Sequence, residues 1–528
     1  MQSPNPNPIP QSLVLLHDPT LSIMSVEIQE TSREFPLNLG QQLTVEIQRL
    51  NSQAEGTARP EGLATFIPGL LPEETAQIEI EKIAKTFARG KALQIDRRSS
   101  HRQQPRCPVH LNPDESGTFD SNLHCGGCQL QIYQREKELE HKQEFVRDNL
   151  SRVGGLKVDV KPLVHGHPWG YRNKMSFSLA LDQGEVRWGL RALEENEASV
   201  AIPSCDIARP ELWKSAQTIL IALVEEFGSD LMWDGEKGYL RGATVRVHTG
   251  RPNLPHQEMD RASLDPCSVV ILAVASQDMP LALRAKAALA SVPDLKTFLS
   301  YSDPRATNVY YDRTRFLNCL PNREPFWGEA VISEELSSWH TTGPWATLVG
   351  PMNFLQVNDE MAERLYSKVL SLDFEGNGFA IDAFCGVGIL TRALADRFEQ
   401  VMGIELDTQS IKLARNTARR LNDCRVEWVS EPAEVVFRAW NKGGHGTGRP
   451  KPDLVVLDPP RKGCQKEVLQ TLNEVKPKDV VYISCHPAAL ARDLKILCKK
   501  NFEIVETQPF DLFPQTHHVE TLVHLKAK

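Results

Sequence analysis

Cys485 stands in the stretch VYISCHPAALARDL (481–494), where a short apolar run gives way to a helical pattern. A thiol at a strand end of an open α/β sheet lies where such sheets bind ligands and can serve as a nucleophile. The competing reading is a small apolar filler. Two acids hold comparable places: Glu405 closes QVMGIEL, and Asp458 closes DLVVLD just before PPRKG. The paired prolines fix φ and stop both strand and helix, which keeps Asp458 aimed beyond the strand ends.

A further strand ends in DAFCGVG (382–388), whose glycines let a ligand approach the backbone where a helix begins. Glu405 follows Gly388 by seventeen residues, a place from which a carboxylate can accept both hydroxyls of a ribose. Neither a full G-x-G-x-x-G nor a GxxxxGK[ST] is present, which points away from dinucleotides and ATP. An adenosyl group without a pyrophosphate remains, and S-adenosylmethionine leads that class. A second constellation consists of Cys107, Cys125, Cys128 and Cys205, the middle pair in CGGC. Four thiolates could hold zinc or an iron-sulfur cluster.

The elements that must position these residues follow from patterning. From about residue 345, apolar strands alternate with amphipathic helices, the signature of a parallel, doubly wound sheet buried on both faces. Its neighbouring fourth and fifth strands bring Asp458 and Cys485 to one crevice. Residues 36–97 carry alternating strands such as QLTVEIQRL and AQIEIEKIAK and predict a small β-barrel. The run Lys85, Arg89, Lys91, Arg97, Arg98, Arg102 and Arg106, against the single acid Asp96, reads as a phosphate-contacting edge on that barrel. A helix follows near 135–153, with Leu139, Val146, Leu150 and Val153 on one face. The stretch 156–340 mixes strands and helices, with structural support as its default role.

A chain of 528 residues exceeds one ordinary core, and its 41% hydrophobic content with a formal charge of −8 is that of a globular protein. No apolar run approaches the roughly 20 residues that span a bilayer, so no membrane partner is expected. Eleven cysteines without a secretory signal indicate a reducing, cytoplasmic setting. The first 35 residues, rich in proline and asparagine, and the Gly/Lys-rich loop 441–452 are expected to be flexible.

FLQVN (354–358), DAFCGVG, GIEL, LDPPRKG, YISCHPAALARDL and FPQTHHVET, in this order, resemble the RNA uracil-5 methyltransferases of transfer and ribosomal RNA. Residues 36–97 resemble that family's TRAM barrel. The resemblance implies an α/β protein with an N-terminal TRAM/OB-like barrel, a central α/β domain over 98–340, and a C-terminal Rossmann-like class I methyltransferase with a mostly parallel, doubly wound sheet over 341–528. It implies that Cys485 adds to carbon 6 of uracil, that Glu520 is the base removing the carbon-5 proton, and that Gln356, Phe384, Glu405 and Asp458 contact S-adenosylmethionine. Part of the family holds a four-iron four-sulfur cluster on C-x5-CGGC plus a distant cysteine, which maps onto Cys107, Cys125, Cys128 and Cys205. Here seventeen residues, not five, separate the first two. Ile389 and His486 stand where many relatives have asparagine. The expected partner is RNA, ribosomal ahead of transfer RNA, and the expected state a monomer. The rivals are an RNA cytosine-5 methyltransferase, disfavoured because Arg461 stands where a second catalytic cysteine would, and an inactive RNA-binding protein of the same fold.

Overall fold

The computed structural model describes residues 37–193, 198–248, 267–274, 278–293, 295–302, 316–319, 326–328, 338–342, 344–423, 425–442 and 450–528. The expectation for residues 1–35 and most of that for 441–452 lie outside these.

Six short strands, β1 (Gln42–Glu46), β2 (Arg49–Leu50), β3 (Gly56–Ala58), β4 (Ala64–Ile67), β5 (Thr75–Ile83) and β6 (Phe87–Arg97), form one sheet in the order β1-β5-β6-β4-β3-β2. Strand alternation sends Val45, Ile67, Ile78, Ile80 and Ile95 into a common core, which is what lets so small a unit close. The basic run on this unit is not one uniform edge. Arg102 is buried against Glu74 at 2.6 Å, Arg97 pairs with Glu46 at 2.8 Å, and Arg89 pairs with Glu55. Lys85 and Lys91 remain exposed.

Helix α1 (Arg135–Arg152) buries Val146 and Leu150 as expected, but Val153 is 43% exposed and the rest of the buried stripe is Glu138 and Lys142. Lys142 lies 2.8 Å from Glu138 and 2.7 Å from Asp511, and Arg135 also pairs with both acids. Buried charges persist only when matched in this way.

The second sheet has eight strands: β7 (Lys174–Asp182), β8 (Glu185–Arg191), β9 (Ser199–Ala201), β10 (Leu240–His248), β11 (Cys267–Val274), β12 (Leu295–Ser302), β13 (Phe316–Cys319) and β14 (Phe326–Gly328), in the order β14-β13-β12-β11-β10-β7-β8-β9. Helices α2 (Pro210–Phe227) and α3 (Met279–Leu289) cover its apolar face, where Met175, Phe177, Trp188, Val245 and Val247 meet Leu212, Ile219 and Leu223. A two-stranded ribbon, β15 (Ser338–Thr342) and β16 (Trp345–Val349), leads onward.

The last unit strings α4 (Asp359–Ser371), β17 (Phe379–Ala383), α5 (Ile389–Leu394), β18 (Gln400–Ile404), α6 (Thr408–Arg420), β19 (Val426–Val429), α7 (Ala433–Lys442), β20 (Leu454–Leu457), α8 (Lys466–Val475), β21 (Asp479–Ser484), α9 (Pro487–Cys498), β22 (Phe502–Phe510) and β23 (Glu520–Ala527). Its sheet order is β19-β18-β17-β20-β21-β23-β22, parallel through β21, with β23 and β22 antiparallel. The order reverses between β17 and β20, so the crevice beyond their carboxyl ends is where such sheets receive ligands. Among the described residues no helix is long and apolar enough to cross a membrane.

Candidate active site

Each residue singled out at a strand end arrives in that crevice. Phe384 follows β17 and takes a left-handed backbone (φ 69°), its N–H donating to the Ile404 carbonyl at 2.8 Å. Gly386 (φ 56°) has nothing within 4 Å of where a Cβ would stand, which leaves an open face for a ligand. At Gly388 a Cβ would come within 2.2 Å of the Trp428 ring, so this glycine serves packing. Glu405 follows β18, and its carboxylate accepts from the Gly386 N–H at 3.1 Å and the Asp407 N–H at 2.8 Å. These bonds fix the carboxylate at the edge of the open face. Gln356 is buried, and its carbonyl accepts from the Asn173 side chain at 3.0 Å.

Asp458 follows β20 and Cys485 follows β21, on adjacent parallel strands. The antiparallel register of β21 with β23 pairs Ser484 with Thr521, so Glu520 comes opposite Cys485. Sequence spacing could not show this, because 34 intervening residues return through β22. Glu520 is 3% exposed, and burial, then the charge of Asp458, hold its carboxyl well above the usual range, while Arg461 opposes the rise. Asp458 is raised as well, by burial first and then by Asp382. Two buried acids facing one crevice cannot both ionise freely.

Burial pushes the Cys485 thiol up to about 11, Glu520 and Asp458 add to this, and the Arg461 guanidinium, hydrogen-bonded to the thiol, pulls it down. Sequence reasoning placed Arg461 where a cytosine-5 enzyme would carry a second catalytic cysteine but missed its action on the Cys485 thiol. The turn carrying it is braced from behind by fully buried Asp493, which accepts from the Cys464 N–H at 2.8 Å and the Tyr482 hydroxyl at 2.7 Å. A cavity of about 510 Å³ lined by Lys462, Cys464, Lys466, Arg492 and Asp493 opens behind that turn and shares none of the crevice residues.

Cys107, Cys125, Cys128 and Cys205 are brought together from distant sequence. Burial raises the Cys128 thiol, and the charges of Cys205, Cys125 and Cys107 raise it further. The Gly127 N–H donates to the Cys125 sulfur at 3.4 Å. Among the described residues, however, no group of three or more His, Cys, Asp or Glu side chains is arranged to hold a metal ion, so the geometry does not carry the expected cluster. The same loop docks on the segment leading to Glu520: the Gln129 and Leu130 N–H groups donate to the Gln515 carbonyl at 3.0 and 2.9 Å.

Residues 350–528 match the sequence profile of the family described as tRNA (Uracil-5-)-methyltransferase, and residues 36–93 match the TRAM domain. An uncharacterized RNA methyltransferase of Bacillus cereus is 31% identical over 494 residues, spanning 92% of this chain and 97% of the relative. One from Oceanobacillus iheyensis is 30% identical over 498 residues, spanning 93% and 98%. Among solved structures, the Pyrococcus abyssi tRNA (uracil-54, C5)-methyltransferase in complex with S-adenosyl-L-homocysteine shares the fold with a TM-score of 0.65, at 24% identity over 91% of this chain and 99% of that one.

Proposed function

The chain belongs to the RNA uracil-5 methyltransferase family, with a TRAM domain at its N-terminus, and from that premise we propose that it methylates carbon 5 of a specific uridine through a covalent adduct at Cys485. S-adenosylmethionine would supply the methyl group. Gln356, Phe384, Glu405 and Asp458 are its proposed contacts, and the open face at Gly386 beside the fixed Glu405 carboxylate fits a ribose.

The observation that carries the mechanism is the register placing Glu520 opposite Cys485, with Arg461 on the thiol. Uracil carbon 5 is a poor nucleophile until something adds to carbon 6. The Cys485 sulfur forms a bond to carbon 6, and the C5–C6 π electrons move to the O4 enolate. Carbon 5 of that enolate takes the methyl group, and the sulfonium sulfur leaves as a neutral thioether. Glu520 then accepts the carbon-5 proton, the enolate re-forms, and the C6–S bond breaks to release the Cys485 thiolate. A carboxylate with a raised pKa is a stronger base and suits removal of a carbon-bound proton. Since stacking in a paired helix closes the ring face through which sulfur must attack carbon 6, the uridine must be unpaired or flipped.

Ribosomal RNA is the proposed target, because barrel and cysteine set together accompany ribosomal activities within the family. Transfer RNA is the second reading, favoured by the fold shared with the P. abyssi enzyme, a tRNA (uracil-54, C5)-methyltransferase. A four-iron four-sulfur cluster on Cys107, Cys125, Cys128 and Cys205 stays a proposal on their thiol chemistry and on the family resemblance alone, since their arrangement does not form a metal-holding group; iron and acid-labile sulfide in the purified protein, lost in Cys128→Ala, test it. Nucleoside analysis of ribosomal and transfer RNA from cells with and without the protein tests the activity. A 5-methyluridine lost from one RNA and restored by wild type but not by Cys485→Ala supports it, and unchanged 5-methyluridine in both overturns it.

A further inference from the structure

The doubly wound sheet sorts its side chains onto two faces. Ile381, Leu457, Tyr482 and Val523 pack on one side. Ala380, Val456, Ile483 and Leu522 pack on the other, together with Leu365, Tyr366 and Val369 of α4. Strand alternation therefore sends Asp382, Asp458, Cys485 and Glu520 all to the side that α4 covers. Among the buried members of that apolar cluster, Tyr366 alone carries a hydroxyl.

The direction of α4 decides where this hydroxyl points. The helix begins at the crevice, where the Asn358 side chain donates to the Leu512 carbonyl at 3.1 Å. Its exit reaches the far end of the sheet, where the Glu375 N–H donates to Asp479, the first residue of β21, at 2.9 Å. Helical side chains lean toward their own N-terminus, so the Tyr366 ring points back to the crevice. The charges acting on its hydroxyl agree: Asp458 most, then Asp382, Glu520 and Asp359. Burial and these acids hold the phenol far above its ordinary range, so it remains a donor at every working pH.

Among the described residues no hydrogen bond reaches the Tyr366 hydroxyl or the Asp458 carboxylate. Polar groups in such places ordinarily have partners, and packing alone needs no hydroxyl, because phenylalanine fills the same volume. Asp458 is also raised to about 7, by burial and then by Asp382. An acid held neutral attracts no cation, so Asp458 needs a donor that favours its ionised form. The groups facing it are Asp382 of β17, Cys485 after β21, Glu520 of β23 and Tyr366 of α4, with Arg461 acting on Cys485 and Glu520. Of these, Tyr366 alone offers a hydroxyl.

We propose that Tyr366 is a positioning residue acting through Asp458: directly or through one water, its hydroxyl donates to the Asp458 carboxylate and readies it for the cation of S-adenosylmethionine. The inference rests on the reading of Asp458 as a cofactor contact, but its test needs no turnover.

Calorimetry of S-adenosylmethionine binding to the full-length protein between pH 6 and pH 9 compares wild type with Tyr366→Phe, each also carrying Asp458→Asn or Glu520→Gln. Without the donor, the Asp458 carboxyl should rise by about one pH unit. Tyr366→Phe should therefore bind about ten-fold more weakly at pH 6, where protonated Asp458 prevails, and nearly as tightly as wild type at pH 9, where Asp458 is ionised in both. With Asp458→Asn the Tyr366→Phe change should have no effect, and with Glu520→Gln it should have its full effect. The melting temperature of Tyr366→Phe should match wild type.

Wild-type affinity at pH 6 in Tyr366→Phe overturns the inference. So does a loss of equal size at pH 6 and pH 9, which makes Tyr366 a packing residue or a direct cofactor contact. The same loss in Asp458→Asn, or its disappearance in Glu520→Gln, places the action elsewhere and overturns it too. A wild type that binds no S-adenosylmethionine brings down the cofactor reading and the inference together. One that binds it with this pH profile yet methylates no uridine brings down only the uridine reading.

Discussion

The guanidinium of Arg461 lies 3.0 Å from Nε2 of His518. Burial, the adjoining His517 and Arg461 itself hold the His518 imidazole down to about 3, so at working pH the ring is neutral and Nε2 accepts from Arg461. The same guanidinium pulls the Cys485 thiol down. His518 thus acts through Arg461 as a positioning residue. His518→Phe should move the thiol further above about 11, slow alkylation of Cys485 by iodoacetamide at fixed pH, and lower kcat roughly ten-fold, about 1.4 kcal/mol, with little change in KM. His518→Gln, which retains an acceptor, should recover most of the loss. Equal defects in both would contradict the relationship.

Glu520→Gln should separate the chemical steps. Addition of Cys485 and transfer of the methyl group need no base at carbon 5, whereas release does. Turnover should fall by roughly 10²- to 10⁴-fold, and a methylated, protein-bound RNA should accumulate on denaturing gels. Full turnover would remove Glu520 from the mechanism.

The pH dependence follows from the same groups. Glu520 must be ionised to accept a proton and its carboxyl is raised; Cys485 is held near 11. Both requirements improve with pH, so kcat/KM should climb as pH rises toward about 11. A bell centred below neutrality would contradict this.

Asp382, 2% exposed, is raised to about 7 by burial, against the Thr391 hydroxyl that donates to it at 2.6 Å. The folded state therefore binds this proton more tightly than the unfolded chain. Its contribution to stability is fully present below about pH 4 and is lost as pH rises through about 7. Urea unfolding at a series of pH values should show that decline in wild type, on the order of a few kcal/mol, and a smaller one in Asp382→Asn, whose amide oxygen still accepts from Thr391 and in which the raised carboxyls of Asp458 and Glu520 still contribute theirs. The opposite slope would refute the assignment.

Lys142→Met should destabilise by about 3 kcal/mol, because Glu138 and Asp511 would be left sharing Arg135 alone in a buried site. Since Asp511 and Gln515, both held by α1, precede Glu520, catalysis should suffer alongside the urea midpoint. A neutral midpoint would show the charges to be individually dispensable.

Residues at strand ends were legible in the sequence because strand-helix alternation fixes which ends face the crevice: Phe384, Glu405, Asp458 and Cys485 all follow strands of the doubly wound sheet. What long-range closure decides was not. Lys142 finds Asp511 across 369 residues, which turned an expected apolar stripe on α1 into a charged one. The basic run over 85–106 could not reveal that Glu55, Glu46 and Glu74 would engage Arg89, Arg97 and Arg102.

The most direct test of the covalent uridine mechanism uses RNA transcribed with 5-fluorouridine in place of uridine. After addition and methyl transfer, carbon 5 then carries fluorine and no proton, so Glu520 has nothing to remove and the adduct cannot resolve. With S-adenosylmethionine present, the account predicts a protein–RNA band stable to denaturation, with mass spectrometry placing a methylated 5-fluorouridine on the peptide containing Cys485 and no band from Cys485→Ala. Methylation of ordinary uridine RNA with no such adduct, or an adduct on another residue, would contradict it.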